Sequence, residues 1–170
     1  MMCVNCDQPT VGSSKYCLTH RAEARAAWKA RIEDTNAERT AREVRHQEII
    51  TEMSHVAMLA YENAQPTPMV VYETEGLTDI PKEDGKSWYV SDGPCGFAWI
   101  VIKPATCSFA RWCAKNDIGH AAYEGGWIIP SFVLVPGEGQ SYERKRAAMW
   151  AAARVLTTHG IKCRPLARMD

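Results

Sequence analysis

The sequence lacks long apolar runs and lacks an excess of charge of either sign. Its 170 residues include 20 Lys and Arg and 20 Asp and Glu, so the formal net charge at pH 7 is zero. No apolar stretch approaches the roughly 20 residues that cross a bilayer, and the N-terminus carries no apolar signal region. These absences argue against a membrane protein and against attraction to polyanions by overall charge. We expect a protein of the cytoplasm with no membrane partner.

A phosphate-binding glycine loop is also absent. The adjacent Gly125 and Gly126 fall in an expected hairpin turn, and no Lys-Ser or Lys-Thr follows them, which argues against an ATPase. The carboxylates and histidines show no nuclease spacing. Cys95, at an expected turn-to-strand junction, is a candidate nucleophile only if His120 approaches it. We favour a small buried hydrophobe at Cys95 and expect a protein that is not an enzyme.

Glycine and proline are missing between residues 13 and 65. The stretch is rich in Ala, Glu and Arg, which favour helix, so residues 21–63 predict one long helix or two abutting ones. Its first half has mostly Ala as apolar residues, a pattern typical of a solvated helix. In its second half an apolar stripe recurs at helical spacing and is expected to dock on the following domain. A coiled-coil homo-oligomer through residues 44–60 is the alternative. The stripe consists of Ile49, Met53, Val56 and Ala60.

Four potential metal ligands stand near the start of the chain. Cys3-x2-Cys6 is separated by ten residues from Cys17-x2-His20, and zinc in structural sites takes four such ligands tetrahedrally. The alternatives are a disulfide hairpin or thiols with no structural role. The odd number of cysteines, seven, and the missing signal region argue against the hairpin. We predict a Cys3His zinc finger at residues 1–20. The remaining cysteines are too dispersed for a second site and are expected as core thiols: Cys107, Cys113 and Cys163.

Residues 66–170 predict an α+β domain. From residue 95 the expected order is β-α-β-β-α-β, which is that of a ferredoxin-like split sandwich with two helices on one sheet face. Ser141 is a suitable N-cap for the last helix, and Gly160 a suitable stop. The expected elements are a short strand in MVVYETEG, a strand at 95–102, a helix at 106–117, two strands within 121–135, a helix within 141–159 and a strand in IKCRPLARM.

The strand at 95–102 contains the pentapeptide GFAWI. It approximates the RNA-recognition signature, in which aromatic side chains of a sheet stack on bases, and it places Phe97 and Trp99 on one face. However, Cys95 replaces a basic residue of that signature, Ile102 replaces an aromatic one, and the strand comes first rather than third in its domain. We therefore expect core packing, with base stacking as the alternative. The expected core comprises Phe97, Trp99, Val101, Phe109, Trp112, Ile128, Trp150 and Leu156.

Three consecutive cations open the last predicted helix. Cations at this end oppose the helix dipole, and a phosphate partner would remove the conflict. Residues 104–170 carry nine basic and five acidic side chains, so this region is mildly positive. The pattern indicates a nucleic-acid interface, with a solvated face as the alternative. The cluster is Arg144, Lys145 and Arg146, which Arg111, Lys115, Arg164 and Arg168 could extend.

Several stretches resemble known viral sequences. CGFAWIVIKP, YEGGW, QSYERKRAAMWAAARVLTTHGI and ARMD resemble a family of small tailed-phage proteins, over roughly residues 88–170. The N-terminal Cys-x2-Cys and Cys-x2-His pairs resemble short zinc fingers of actinobacterial phages. The resemblance implies a phage accessory protein in the host cytoplasm, and it assigns no catalytic residues.

Three functional interpretations follow from these patterns. The first is a non-enzymatic, zinc-stabilised adaptor that binds nucleic acid. The alternative is a viral effector that binds and inhibits a host protein. The third is a small enzyme that uses Cys95 or a carboxylate pair.

Overall fold

The chain has a mixed α+β fold with two separate antiparallel sheets. A computed structural model describes all 170 residues and divides into two compact units, Met1–Arg45 and His46–Asp170. Helix α1, Leu18–Asn63, contributes residues to both units. None of the helices combines the length and apolar character needed to cross a membrane.

The first unit consists of a small N-terminal turn structure and the first half of α1. Met2 and Pro9 form an isolated β-bridge, and the Cys3 amide donates to the Gln8 carbonyl at 3.0 Å. All side chains from Arg21 to Arg42 are exposed. The expectation of a solvated helix is thus confirmed, and even its largest apolar side chains, Trp28 and Ile32, are exposed.

The second unit is built around a four-stranded antiparallel sheet. The strands are β3 (Gly96–Ile102), β4 (His120–Ala121), β5 (Trp127–Pro130) and β6 (Cys163–Met169). Their order in the sheet is β4-β5-β3-β6, so β3 lies inside the sheet between β5 and β6. Burial alternates along β3 because successive side chains point to opposite faces: Ala98, Ile100 and Ile102 are buried, whereas Phe97 is exposed.

Helices cover one face of this sheet. They are α2 (Ser108–Lys115), the single turn α3 (Ser131–Leu134), α4 (Tyr142–Thr158) and the second half of α1. The Ser141 hydroxyl accepts from the Arg144 amide and caps α4, as expected. The shared core includes Met53, Ile100, Phe109, Ile129, Met149 and Leu156.

The stripe on α1 docks on the second unit's own core. Ile49, Met53 and Ala57 are buried in it, and Val56 packs against it. The prediction of docking is therefore confirmed, and these side chains are already covered within one copy of the chain.

Two matched truncations on α1 test this docking. Ile49 is 2% exposed in the second unit, and Ile32 is 40% exposed in the first. Ile49→Val is expected to lower the free energy of unfolding by about 0.5 to 1.5 kcal/mol through lost packing. Ile32→Val is expected to change it by less than about 0.5 kcal/mol. Urea denaturation measures both, and equal effects of the two substitutions would contradict the docking.

The expected core is wrong on one sheet face. Phe97 is 44% exposed, and Trp99, Val101 and Ile128 are only half-buried. The reason is that all helices pack on the opposite face, where Phe109, Trp112 and Leu156 are buried as expected. Trp150 is partly buried against the same core.

Two further elements differ from the sequence expectation. Residues 131–134 form α3 instead of continuing a strand, because Pro130 has no amide hydrogen and ends the ladder. A strand β2 (Ser87–Val90) follows the polar stretch and pairs antiparallel with the expected β1 (Met69–Tyr72). These two strands make the second sheet, a hairpin with nearly all of its strand side chains exposed.

Candidate metal centre and open sheet face

The first candidate site is the cluster of Cys3, Cys6, Cys17 and His20. Cys3 and Cys6 lie in the N-terminal turn structure, which the Met2–Pro9 bridge closes. Cys17 directly precedes α1, and His20 lies in its first turn. The spacing of each pair therefore brings two ligands to one point. The two pairs are linked by the Val4 amide, which donates to the Lys15 carbonyl at 3.0 Å.

The four ligand atoms have the geometry of a tetrahedral metal site. His20 Nδ1 is 3.4 Å from Cys3 Sγ and 3.3 Å from the Sγ atoms of Cys6 and Cys17. Cys6 Sγ and Cys17 Sγ are 3.8 Å apart, and all four atoms lie within 4.8 Å of one another. A tetrahedron with metal–sulfur bonds of about 2.3 Å and metal–nitrogen bonds of about 2.0 Å has edges of about 3.8 and 3.5 Å. The predicted ligand set is thus assembled at metal-binding distances.

The protonation behaviour of the cluster also favours a cation. Burial opposes ionisation of Cys3, but hydrogen bonding from the Cys17 and Asn5 backbone and from His20 outweighs it and lowers its pKa to about 6. Hydrogen bonding from Gln8 favours the Cys6 thiolate, yet burial and the two neighbouring thiols leave its pKa raised. Ionising all three thiols together would therefore place like charges side by side, and a bound cation would remove that repulsion.

The carboxylate of Glu23 lies near the ring nitrogen of His20 that faces away from the sulfur atoms. His20 Nε2 lies 3.8 Å from Glu23 Oε2, one turn further along α1. Because Nδ1 faces the sulfur atoms, Nε2 is free to interact with this carboxylate. Such partners fix the tautomer and ring orientation of metal-binding histidines.

The second candidate site is the sheet face that the helices leave open. Directly opposite residues of antiparallel strands share a face, and Phe97, Trp99 and Val101 stand opposite Arg168, Leu166 and Arg164 of β6. On the other side, Ile128 and Pro130 of β5 face the same way. Aromatic and apolar side chains thus form the centre of this face.

Cations surround these aromatic residues. The Arg168 guanidinium lies 5.4 Å from the centre of the Phe97 ring. A groove of about 540 Å³ runs over Trp99 and Val101, and its one carboxylate is Glu124. Arg164 and Arg168 were predicted from the sequence, whereas Lys103 and Lys162, beside the ends of β3 and β6, come to this face only through the strand register. The groove's cations are Lys103, Lys162 and Arg164.

The predicted basic cluster at the start of α4 is not a solvent-facing patch. Lys145 is 5% exposed; its Nζ lies 3.5 Å from Glu138 Oε1 and donates to the Gly96 carbonyl at 3.0 Å. The alternative of a solvated face is therefore wrong at Lys145. Internal acceptors balance the charge of Lys145.

The neighbouring arginines are also engaged within the second unit. Arg144 pairs with Asp92 at 3.2 Å and donates to the Tyr61 carbonyl at 3.1 Å. The Arg146 guanidinium lies 5.3 Å from the centre of the Trp150 ring. Arg111 and Lys115 are exposed on α2, which packs on the covered sheet face. A nucleic-acid role for these five residues stays a prediction.

Cys95 and His120 do not meet. His120 stands opposite Ile128, which stands opposite Val101, six residues from Cys95 and roughly 20 Å along the strand. Cys95 is exposed, so the expected burial is wrong as well.

The remaining thiols behave as core residues. Burial raises the pKa of Cys113 to about 12 and also raises that of Cys163. Cys107 is partly buried against the core, and its sulfur accepts from the Ala110 amide at the start of α2. The expectation of core thiols is thus confirmed.

Comparisons with known proteins assign no family. No protein-family model matches the chain, and neither the curated proteins nor the solved structures contain a match. The chemistry of the two sites is therefore the basis for a functional assignment.

Proposed function

We propose that the protein binds single-stranded nucleic acid on the open sheet face. The observation that carries this proposal is that Phe97 and Trp99 share a sheet face that no helix covers and that exposed cations flank. Base stacking is the alternative interpretation of GFAWI, and it requires that these rings reach solvent. The exposed fraction of Phe97, 44%, now supports it.

Stacking on this face requires unpaired bases. In a duplex both faces of each base are covered, whereas bases of a single strand turn out and stack on aromatic side chains. Phe97 and Trp99 are two residues apart on β3, so both rings stand on the same face. Because β3 lies inside the sheet, strands on both sides supply further contact surface.

The cations provide contacts for the phosphates. Arg164 and Arg168 are exposed on β6 and stand directly opposite Val101 and Phe97. A guanidinium group can form bidentate hydrogen bonds with two phosphate oxygens, and it can also stack on the face of a base. With a single carboxylate in the groove, the local charge favours an anionic chain although the net charge of the protein is zero.

Removal of either ring tests the proposal. Phe97→Ala and Trp99→Ala are each expected to weaken binding of a labelled single-stranded oligonucleotide by about 1 to 3 kcal/mol, the range for one stacked base. Fluorescence anisotropy at low salt measures the affinity. Trp28→Ala is the matched control, because Trp28 is 62% exposed in the first unit, and it should leave the affinity unchanged.

The salt dependence separates stacking from phosphate contacts. Arg164→Ala and Arg168→Ala should each reduce the slope of log affinity against log salt by roughly 0.7 per lost phosphate contact. The ring substitutions should leave that slope unchanged. Failure of the parent protein to bind single-stranded DNA or RNA at low salt would overturn the proposal.

We also propose that the metal is zinc. Three thiolates and one imidazole form a soft, closed ligand set with no open position, which suits structural zinc and leaves no room for substrate. The proposed role is to hold the N-terminal turn structure together. Residues 1–17 bury only Cys3 and Cys17, so this segment has no apolar core of its own.

For the second unit we propose a ferredoxin-like architecture. Its support is the antiparallel strand order β4-β5-β3-β6, together with helices between β3 and β4 and between β5 and β6. The short α3 is an addition to that pattern. A role as a phage accessory protein in a host cytoplasm rests on sequence resemblance alone, and the effector and enzyme interpretations stay predictions.

A further inference from the structure

The groove on the open sheet face combines an apolar floor with one acidic side chain. Trp99, Val101 and Ile128 line the floor, and the last two stand directly opposite each other on β3 and β5. The groove volume of about 540 Å³ lies within the usual range for small-ligand sites. A groove of this size and composition accepts a flat, largely apolar ring.

A tight turn places that acidic side chain, Glu124, at the end of the floor. The Gly125 amide donates to the Ala122 carbonyl, and the Ala122 amide donates to the Gly126 carbonyl, both at 3.1 Å. Gly126 packs so closely on the end of β3 that an added Cβ would lie 3.0 Å from Val101 Cγ1. The turn, and with it the backbone of Glu124, is thus fixed against the floor.

The Glu124 carboxylate has no partner within the chain. No hydrogen bond or ion pair engages it, although Lys103, Lys162 and Arg164 line the same groove. A carboxylate repels phosphates, so in a nucleic-acid groove it weakens nonspecific binding. It strengthens binding only where the ligand presents hydrogen-bond donors, because an ionised carboxylate accepts and does not donate.

We propose that this groove selects guanine among the bases of a bound single strand and that Glu124 determines the selection; the inference rests on the proposed function. Guanine alone among the common bases has two adjacent donors on its Watson–Crick edge, N1–H and the N2 amino group, which match the two oxygens of a carboxylate. In adenine and cytosine the amino group adjoins a ring nitrogen that accepts. In thymine and uracil one N–H stands between two carbonyls. A carboxylate at the edge of these bases therefore faces an acceptor, which lowers the affinity.

Fluorescence anisotropy with strands of about ten nucleotides, a length that one such domain covers, tests the selection. One strand is oligothymidine, and the others carry a single guanine, adenine, cytosine or hypoxanthine at the centre. The full-length parent should bind the guanine strand at least about fivefold more tightly than oligothymidine, the lower end for one bidentate contact. The hypoxanthine strand should lose most of this gain, since hypoxanthine keeps N1–H but lacks the N2 amino group.

Glu124→Ala separates the selection from general binding. The variant should lose the guanine preference and bind oligothymidine at least as tightly as the parent, because it removes a negative charge from a phosphate-binding groove. Glu83→Ala is the matched control, since Glu83 is exposed in the loop between β1 and β2, and it should keep the preference. Circular dichroism shows whether both variants keep their fold.

The possible failures are distinguishable. Equal affinity of the parent for all the strands would overturn the selection and leave binding on the open sheet face intact. A preference for adenine or cytosine, or a guanine preference that Glu124→Ala retains, would overturn the selection as well. Failure of the parent to bind any strand would refute the proposed function itself, and the selection with it.

Discussion

Cys17→Ser is expected to abolish metal binding and to unfold the N-terminal turn structure while the second unit stays folded. The substitution removes one of four ligands, and a structural site needs all of them to hold its metal. The parent, purified with zinc supplementation, should contain about one zinc per chain, and the variant less than about a tenth. Mass spectrometry of the metal and amide hydrogen exchange of residues 1–20 measure the two effects.

Cys95→Ser is the control for that experiment. Cys95 is also a free thiol but is exposed in the second unit, so its loss should change neither the zinc content nor exchange at the N-terminus. Less than about a tenth of an equivalent of zinc in the parent would contradict the site, since closed tetrahedral sites of this kind are occupied in folded proteins. Retention of zinc by Cys17→Ser would contradict the assigned ligand set.

Lys145→Met should be the most destabilising substitution in the second unit that leaves its apolar core untouched. Methionine keeps the aliphatic stem of Lys145 but removes the charge, which leaves Glu138 without its cation. The two side chains are 7% and 8% exposed. Breaking such a buried pair from one side costs about 3 to 5 kcal/mol, and urea denaturation measures the loss.

A double variant separates the pair from the packing. Lys145→Met with Glu138→Leu removes both charges, and it should be more stable than the sum of the two single effects predicts. Arg146→Met is the matched control on the same helix, and we expect a change within about 0.5 kcal/mol because Arg146 is exposed. A loss below about 1 kcal/mol for Lys145→Met would show that the pair is not buried in solution.

Features fixed by neighbouring residues were predictable from the sequence. The ligands Cys3, Cys6, Cys17 and His20 come in two local pairs, and their chemistry admits few alternatives. Ser141 and Gly160 mark the two ends of the last helix, since capping depends on residues within one turn. The apolar stripe on α1 likewise required only its helical spacing.

Features that depend on distant partners were not predictable. The apolar run of β3 fits a strand covered on both faces, and only the placement of the helices shows that one face is open. Lys145, near the start of α4, pairs with Glu138, in the loop that precedes this helix. No sequence spacing predicts that contact. Strand β2 follows a polar, turn-rich stretch, so its pairing with β1 was hidden until both strands were in place.

Photochemical crosslinking tests the central claim, that the open sheet face binds single-stranded nucleic acid. The parent protein would be irradiated with a single-stranded oligonucleotide of about ten nucleotides, a length within the range that one such domain covers. Mass spectrometry would then locate the crosslinked residues. We expect crosslinks at Phe97, Trp99 or their β6 neighbours, with no such product from a duplex of the same sequence. Crosslinks confined to residues 1–45 or to α2 would contradict the claim.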